Sequence, residues 1–421
     1  MPVLVERLGA FDLEGVENLP EVMRPQPSQK PQALKDPPEK SEEVRLIIAQ
    51  LVSRLIEITQ PQHFAPYLDE FTNVIRALVM DPSNGDVMKE ACNGMSLLCC
   101  TAPKLLLHYS EKLARSLFSC LVHKHWKVRK AGLDALGKVM HCGPYKYNAT
   151  IMEALIGFRD PNVVPIKDFY EPSTKLNYLA MLVNDRSANV REVFYRVVAD
   201  WLLRLPDKGD HESRLIPYIL AGLFDPIPEI REMCFEQIEE IGQQYEEDNE
   251  KDIREIRQLG FQEPWTAEGQ MIYLPLPEPF AKRPRLGARL FFRKYVQRYL
   301  KPIFSEVSDW ISTSREHSSN LLLALIIFTE DYITQQLDKF LTNMYKALLI
   351  NDSPKVLENL HTSLRLVGRY VPIESYLPQV LPTLRVRYVI YSHQSLHTIF
   401  YACLLTAFRE MFQKRSTAKG P

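Results

Sequence analysis

Several things are scarce or missing in this chain of 421 residues, and each absence closes a class of function. Glycine is sparse, at 16 residues, which argues against glycine-rich phosphate cradles. There is no G-x-x-x-x-G-K-[ST], no G-x-G-x-x-G and no G-x-S-x-G, so no nucleotide loop or nucleophile elbow is read. The seven cysteines (Cys92, Cys99, Cys100, Cys120, Cys142, Cys234, Cys403) are odd in number and form no C-x-x-C. Most lie in apolar helical patterns, where a free thiol behaves as a small hydrophobe. A reduced, intracellular setting fits that usage. Met1-Pro-Val-Leu-Val-Glu-Arg7 has neither the basic n-region nor the apolar run of a secretory signal. The longest apolar run, Leu321–Phe328, is far short of a bilayer span. A net charge of -1 gives no general pull toward nucleic acid or an acidic membrane. The expectation is a cytoplasmic chain with no membrane contact, no nucleic-acid partner and no cofactor.

What the chain has in quantity is amphipathic helix. Hydrophobic residues make up 46% and charged residues 24%, the composition of a folded protein. In His123–Met140, Val128, Ala131, Ala135, Leu136 and Val139 recur at helical spacing behind a Val128-Arg129 opening. The same opening recurs along the chain. Aligned on its first residue, the positions are Val44, Val87, Val128, Val190, Ile230, Ser314 and Val356, at steps of 43, 41, 62, 40, 84 and 42. The step of 62 is one period plus an insertion at 159–172, and the step of 84 is two periods.

Helix pairs at this period are the signature of HEAT or armadillo arrays. One pair cannot bury its apolar face alone, so pairs stack and each closes its neighbour's core. The predicted fold is all-α, an alpha-alpha superhelix (solenoid) of HEAT/armadillo-type helix pairs. The expected organisation is a partial helix and Pro-rich loop over 1–40, an array over 41–246, an acidic, Pro-rich and basic insertion over 247–287, a continued array over 288–412 and a polar tail over 413–421. A single aromatic-rich helix is expected over 289–300, and Ser353-Pro354 reads as an N-cap followed by Pro at N1. Arg45, Arg129, Arg191 and Arg231 are the repeat positions, expected to bond to Asp or carbonyl groups in neighbouring turns.

Three constellations bear on chemistry. His393 and His397 stand four apart on a predicted helix, but Gln394 replaces the Glu of H-E-x-x-H and no third ligand is apparent. Cys120, His123, His125, His141 and Cys142 bracket the Val128-Arg129 helix and would supply zinc ligands. A packed core and a solvated turn explain them as well. The basic-aromatic run over 282–301 has the residue types of a nucleic-acid surface, yet Phe291, Phe292, Tyr295, Val296 and Tyr299 are spaced as a core stripe. Asn148-Ala-Thr150 is a glycosylation sequon, silent in a cytosolic chain. Trp126, Arg283, Arg285 and Arg293 are the candidate partner-binding residues. For Trp126 the alternative, a packing wedge between repeats, is the favoured reading.

Several stretches together resemble the HEAT-repeat dynein axonemal assembly factors. They are His125-Trp-Lys-Val-Arg129, Ile227-Pro-Glu-Ile-Arg231, Tyr245-Glu-Glu-Asp-Asn-Glu250, Pro284-Arg-Leu-Gly287, Val307-Ser-Asp-Trp-Ile311 through Arg315, Thr329–Leu337 and Leu366-Val-Gly368. The resemblance covers about residues 41–382. It implies a non-enzymatic cytoplasmic scaffold for pre-assembly of dynein arms in ciliated cells, needed for cilium or flagellum motility. Its implied partners are dynein intermediate or heavy chains and other assembly factors or chaperones. Members of the family are longer, with further helical repeats at both ends. The Pro-rich residues 10–40 and the insertion at 159–172 depart from its compact repeats. A generic HEAT-repeat adaptor, of the nuclear-transport or phosphatase-scaffold type, is the alternative that fold alone would allow.

Overall fold

A computed structural model describes residues 2–8, 39–156, 177–258, 266–267, 270–271, 276–308, 312–351, 353–372 and 374–380. Contacts divide the chain into two units, Met1–Tyr218 and Ile219–Pro421. The described residues are helical apart from turns and one antiparallel ladder, in which Thr266 pairs with Met271 and Ala267 with Gln270. The fold class is all-α, of the HEAT/armadillo repeat type.

In the first unit, α1 (Pro2–Leu8), α2 (Glu42–Ile58), α3 (Leu68–Val79), α4 (Gly85–Thr101), α5 (Ser110–Leu121), α6 (Trp126–Val139), α7 (Tyr145–Ile156), α8 (Tyr178–Val183) and α9 (Ala188–Arg204) precede a helix that runs on across the boundary, α10 (Lys208–Ala221). The second helices of the pairs stack in series, α2 on α4, α4 on α6 and α6 on α9. Each starts where the repeat alignment places it. Val87, Val128 and Val190 lie in first turns and are at most 2% exposed. Local chemistry fixes the starts: Ser41 Oγ accepts from Val44 N, and Asn84 Oδ1 accepts from Asp86 N and Val87 N. Small residues set the spacing. A Cβ on Gly132 would fall 2.6 Å from Cys120 Cβ, so α5 and α6 approach closely there.

In the second unit, α11 (Pro228–Asp248) opens with Pro228 at its first position. α12 (Glu250–Gln258), α13 (Leu286–Arg293), α14 (Val296–Val307), α15 (Ser312–Thr329), α16 (Leu337–Ile350) and α17 (Pro354–Tyr370) follow. Again the stack is serial, α11 on α13, α13 on α15 and α15 on α17. α11 and α13 cross through two glycines: a Cβ on Gly287 would collide with the Gly242 carbonyl oxygen.

Two local expectations change. The single helix expected over 289–300 is two, α13 and α14, separated at Lys294–Tyr295. The halves bury against different neighbours, α13 on α11 and α15 but α14 on α15 and α16, which one straight helix would not do. Ser353 occupies the cap position before Pro354 but makes no side-chain cap bond.

Between α11 and α13, a segment of turns and bends carries Phe280, 4% exposed, into a ring of aromatics. Its centroid lies 6.4 Å from those of Phe224 and Phe235 and 6.0 Å from that of Phe328.

Candidate interaction surface

The four repeat arginines share one local task. Each sends Nη1 back to the carbonyl six residues earlier: Arg45 to Glu39 O at 2.9 Å, Arg129 to His123 O at 2.7 Å, Arg191 to Asp185 O at 2.7 Å and Arg231 to Asp225 O at 2.8 Å. These carbonyls precede the helix and lie outside its own hydrogen-bond ladder. Arg45 and Arg129 also cross to the turn of the next pair. Arg45 Nε donates to Asp81 Oδ2 at 2.6 Å and Nη2 to Ser83 Oγ at 2.7 Å. Arg129 grips Asp185 through Nε–Oδ2 at 2.5 Å and Nη2–Oδ1 at 2.7 Å. The aspartates meanwhile wrap their own turns. Asp81 Oδ1 accepts from Ser83 N and Asn84 N, Asp185 Oδ1 from Ser187 N and Asp225 Oδ1 from Ile227 N. Asp185 is therefore a node, holding Arg129 of the preceding pair with its carboxylate and Arg191 of its own pair with its carbonyl.

One rung departs from this chemistry. At the arginine position α4 carries Met88, 5% exposed, and at the aspartate position the next turn carries His123. Both halves of the rung are changed together. The turn is held instead by His125 N–H donating to His123 Nδ1 at 3.2 Å. Burial and the neighbouring His125 charge lower the His123 pKa below the ordinary histidine value.

Trp126 opens α6 and is 37% exposed, with Lys127 Nζ 6.0 Å from its ring centroid. Its indole is thus only partly covered, whereas Val128 two residues on is 2% exposed.

The five soft ligands around α6 do not converge. Cys120 Sγ lies 3.7 Å from Cys92 Sγ and 3.6 Å from Val79 O in the core. The hydrogen bond shared with Cys120 and burial push the Cys92 thiol well above its ordinary range, which makes it a poor nucleophile. Cys142 Sγ donates toward Cys99 O at 3.8 Å, and His141 Nε2 bonds Asp200. Among the described residues, no three His, Cys, Asp or Glu side chains are placed to hold a metal ion. His393 and His397 lie outside the described residues. Asn148 of the sequon is fully buried, its Nδ2 donating to Asp207 Oδ1 at 3.2 Å.

Four arginines of the second unit's basic segment pair with acids of that unit, while Lys282, Lys294 and Arg298 are exposed. Arg283 meets Glu330 in a bidentate pair, both contacts 2.7 Å, and Arg289 Nη1 reaches the same carboxylate at 2.7 Å. Arg293 Nη2 donates to Asp331 Oδ1 at 2.9 Å and lies 3.7 Å from Glu330 Oε2. Arg285 Nε and Nη2 each lie 3.2 Å from a Glu246 oxygen. The partner-binding candidates Arg283, Arg285 and Arg293 are thus ion-pair partners inside the unit. Glu330, 3% exposed and at φ 49°, is the hub; the sequence marks it only within the Thr329–Leu337 stretch of the resemblance, with no role attached. Burial pushes its carboxyl pKa up, but the Arg283 hydrogen bonds and the Arg289 charge outweigh that and leave it below the ordinary value.

Comparison with known proteins gives a family for this architecture. A model described as "Dynein axonemal assembly factor 5-like, TPR repeats" matches residues 28–156 and 172–256. A second, described as "Dynein axonemal assembly factor 5, HEAT-repeat domain", matches 276–414. The breaks in the match fall at 157–171 and 257–275. The TPR description differs from the HEAT reading of the first array, whose steps of 40–43 residues exceed the ~34 of TPR pairs. Dynein axonemal assembly factor 5 of Xenopus laevis is 31% identical over 379 residues, 90% of this chain and 40% of the relative. The Homo sapiens protein of that name is 29% identical over 349 residues, 83% of this chain and 36% of its own. This chain thus spans about 40% or less of the length of those curated relatives. Among solved structures, a computationally designed armadillo repeat protein for modular peptide recognition aligns over 77% of this chain and 94% of its own, at 14% identity and a TM-score of 0.28. With family models covering most of its length, the chain belongs to the dynein axonemal assembly factor 5 family.

Proposed function

We propose that this chain is a non-enzymatic scaffold in the cytoplasmic pre-assembly of axonemal dynein arms, serving motility in ciliated cells. Its partners on this reading are dynein intermediate or heavy chains, together with other assembly factors or chaperones. Family membership over most of the chain carries the reading. The repeat architecture supports it, since stacked helix pairs present a long ordered surface. The polar groups do too: Arg45, Asp81, Arg129, Asp185 and Glu330 are spent on holding turns together. Binding on such a surface comes from area with a few anchors. The test is affinity purification of the chain from the cytoplasm of ciliated cells. Recovery of axonemal dynein chains is the expected outcome, and their consistent absence sinks the proposal.

A further inference from the structure

We infer that the turn and first helical residues from Val122 to Lys130 form a docking site for an acidic peptide segment of a partner protein. Three independent observations meet there. First, this is the rung where Met88 and His123 stand in place of the Arg–Asp pair that joins the turns at Arg45–Asp81 and Arg129–Asp185. A repeat that gives up its own stabilising rung at one position marks that position for another use. Second, the turn displays apolar surface: Trp126 is 37% and Val122 40% exposed, on a turn whose helix is already anchored by the buried Val128. A tryptophan is a costly residue to leave in water and a common anchor at interfaces. Third, the charge around it has one dominant sign. Lys124, His125 and Lys127 are exposed and Lys130 is half-buried, and none of the three lysines has an acidic hydrogen-bond partner among the described residues. Two acids adjoin the site: Asp86 follows Gly85, whose Cβ position lies 3.3 Å from the His123 ring, and Asp185 is already paired with Arg129.

The occupant follows from this chemistry. A protein segment carrying Asp or Glu beside an apolar side chain meets the lysines with its carboxylates and the indole face with its apolar group. A nucleic acid is the poorer fit. Tracking a phosphate backbone takes a continuous basic groove and successive stacking rings, whereas here one ring stands beside a few lysines with Asp86 adjacent. The site names the partner chemistry of the proposed scaffold, and rests on that reading only for who the partner is.

The test uses the full chain and a fluorescently labelled peptide of alternating Glu and Leu, followed by anisotropy at low salt. A peptide of alternating Lys and Leu and a single-stranded RNA are run beside it. The acidic peptide is expected to bind and to weaken as salt rises. Trp126→Ala and the double variant Lys124→Glu/Lys127→Glu are each expected to weaken it by about tenfold or more. Both change exposed residues, and an unaltered melting curve shows that the fold is intact. No binding of the acidic peptide overturns the inference, as does equal binding by the Trp126→Ala chain, equal binding of the basic peptide, or RNA bound in its place with the same Trp126 dependence. The probe contains no dynein, so this result and the assembly proposal fail separately.

Discussion

Met88 and His123 show how much a single pair of side chains decides in a repeat array. Where Arg45 meets Asp81, the two side chains are 4% and 2% exposed, a buried ion pair whose arginine also satisfies turn carbonyls. Rebuilding that pair at the changed rung is a defined test. Met88→Arg alone buries a cation without its acid and is expected to destabilise the chain. His123→Asp in the same chain should restore part of the loss, with a coupling of about 1–3 kcal/mol in a double-mutant cycle. Zero coupling in urea unfolding would mean that the two positions do not face each other. Glu330 is the residue-scale counterpart in the second unit. Removing it leaves Arg289 buried and Arg283 partly buried without this acid, so Glu330→Ala should cost about 3–5 kcal/mol. Its carboxyl pKa is depressed in the folded chain, so its contribution is complete above the unfolded carboxylate value, ~4.3, and is lost as pH falls through the folded value. The melting temperature of the native chain should therefore fall between about pH 5 and pH 3 more steeply than that of Glu330→Gln. Parallel curves would contradict the assignment.

At the scale of elements, most of the array is legible in the sequence. Period and turn residues place the starts of α2, α4, α6, α9, α11 and α17 because those starts are fixed locally, by caps, prolines and a buried valine or isoleucine. The break between α13 and α14 is not legible. It lies at Lys294–Tyr295, with no glycine or proline to mark it, and arises because the two halves pack on different helices. Neither is the role of Phe280, a lone aromatic in a Pro-rich stretch whose partners are as distant in sequence as Phe224 and Phe328. The exposure of Trp126 escapes the sequence for a related reason: helical periodicity says which face a residue shares, but not whether a neighbouring turn leaves it room. Two element-scale outcomes are expected. Phe280→Ala should destabilise the second unit by about 3–5 kcal/mol, read from denaturant midpoints. Gly287→Ala should disrupt the crossing of α11 and α13, seen as faster amide exchange in both helices, whereas Gly209→Ala, with open space around it, should not.

For the whole molecule, the chemistry-bearing candidates of the sequence divide by what they do in the fold. Among the described residues, Cys92, Cys99, Cys120, Cys142 and Cys234 are buried, Arg283, Arg285, Arg289 and Arg293 pair with acids, and the repeat arginines tie turns, while Trp126 is an anchor candidate that stays partly at the surface. The family match accounts for why so ordered a surface exists, and the scaffold proposal gives it work to do. The most direct measurement is disruption of the gene in a motile ciliated cell, followed by electron microscopy of the axoneme and immunoblots of cytoplasmic dynein-arm chains. The account predicts axonemes short of dynein arms, dynein chains depleted or unassembled in the cytoplasm, and recovery on return of the native chain. Full complements of arms and normal beating in the disrupted cells would contradict it.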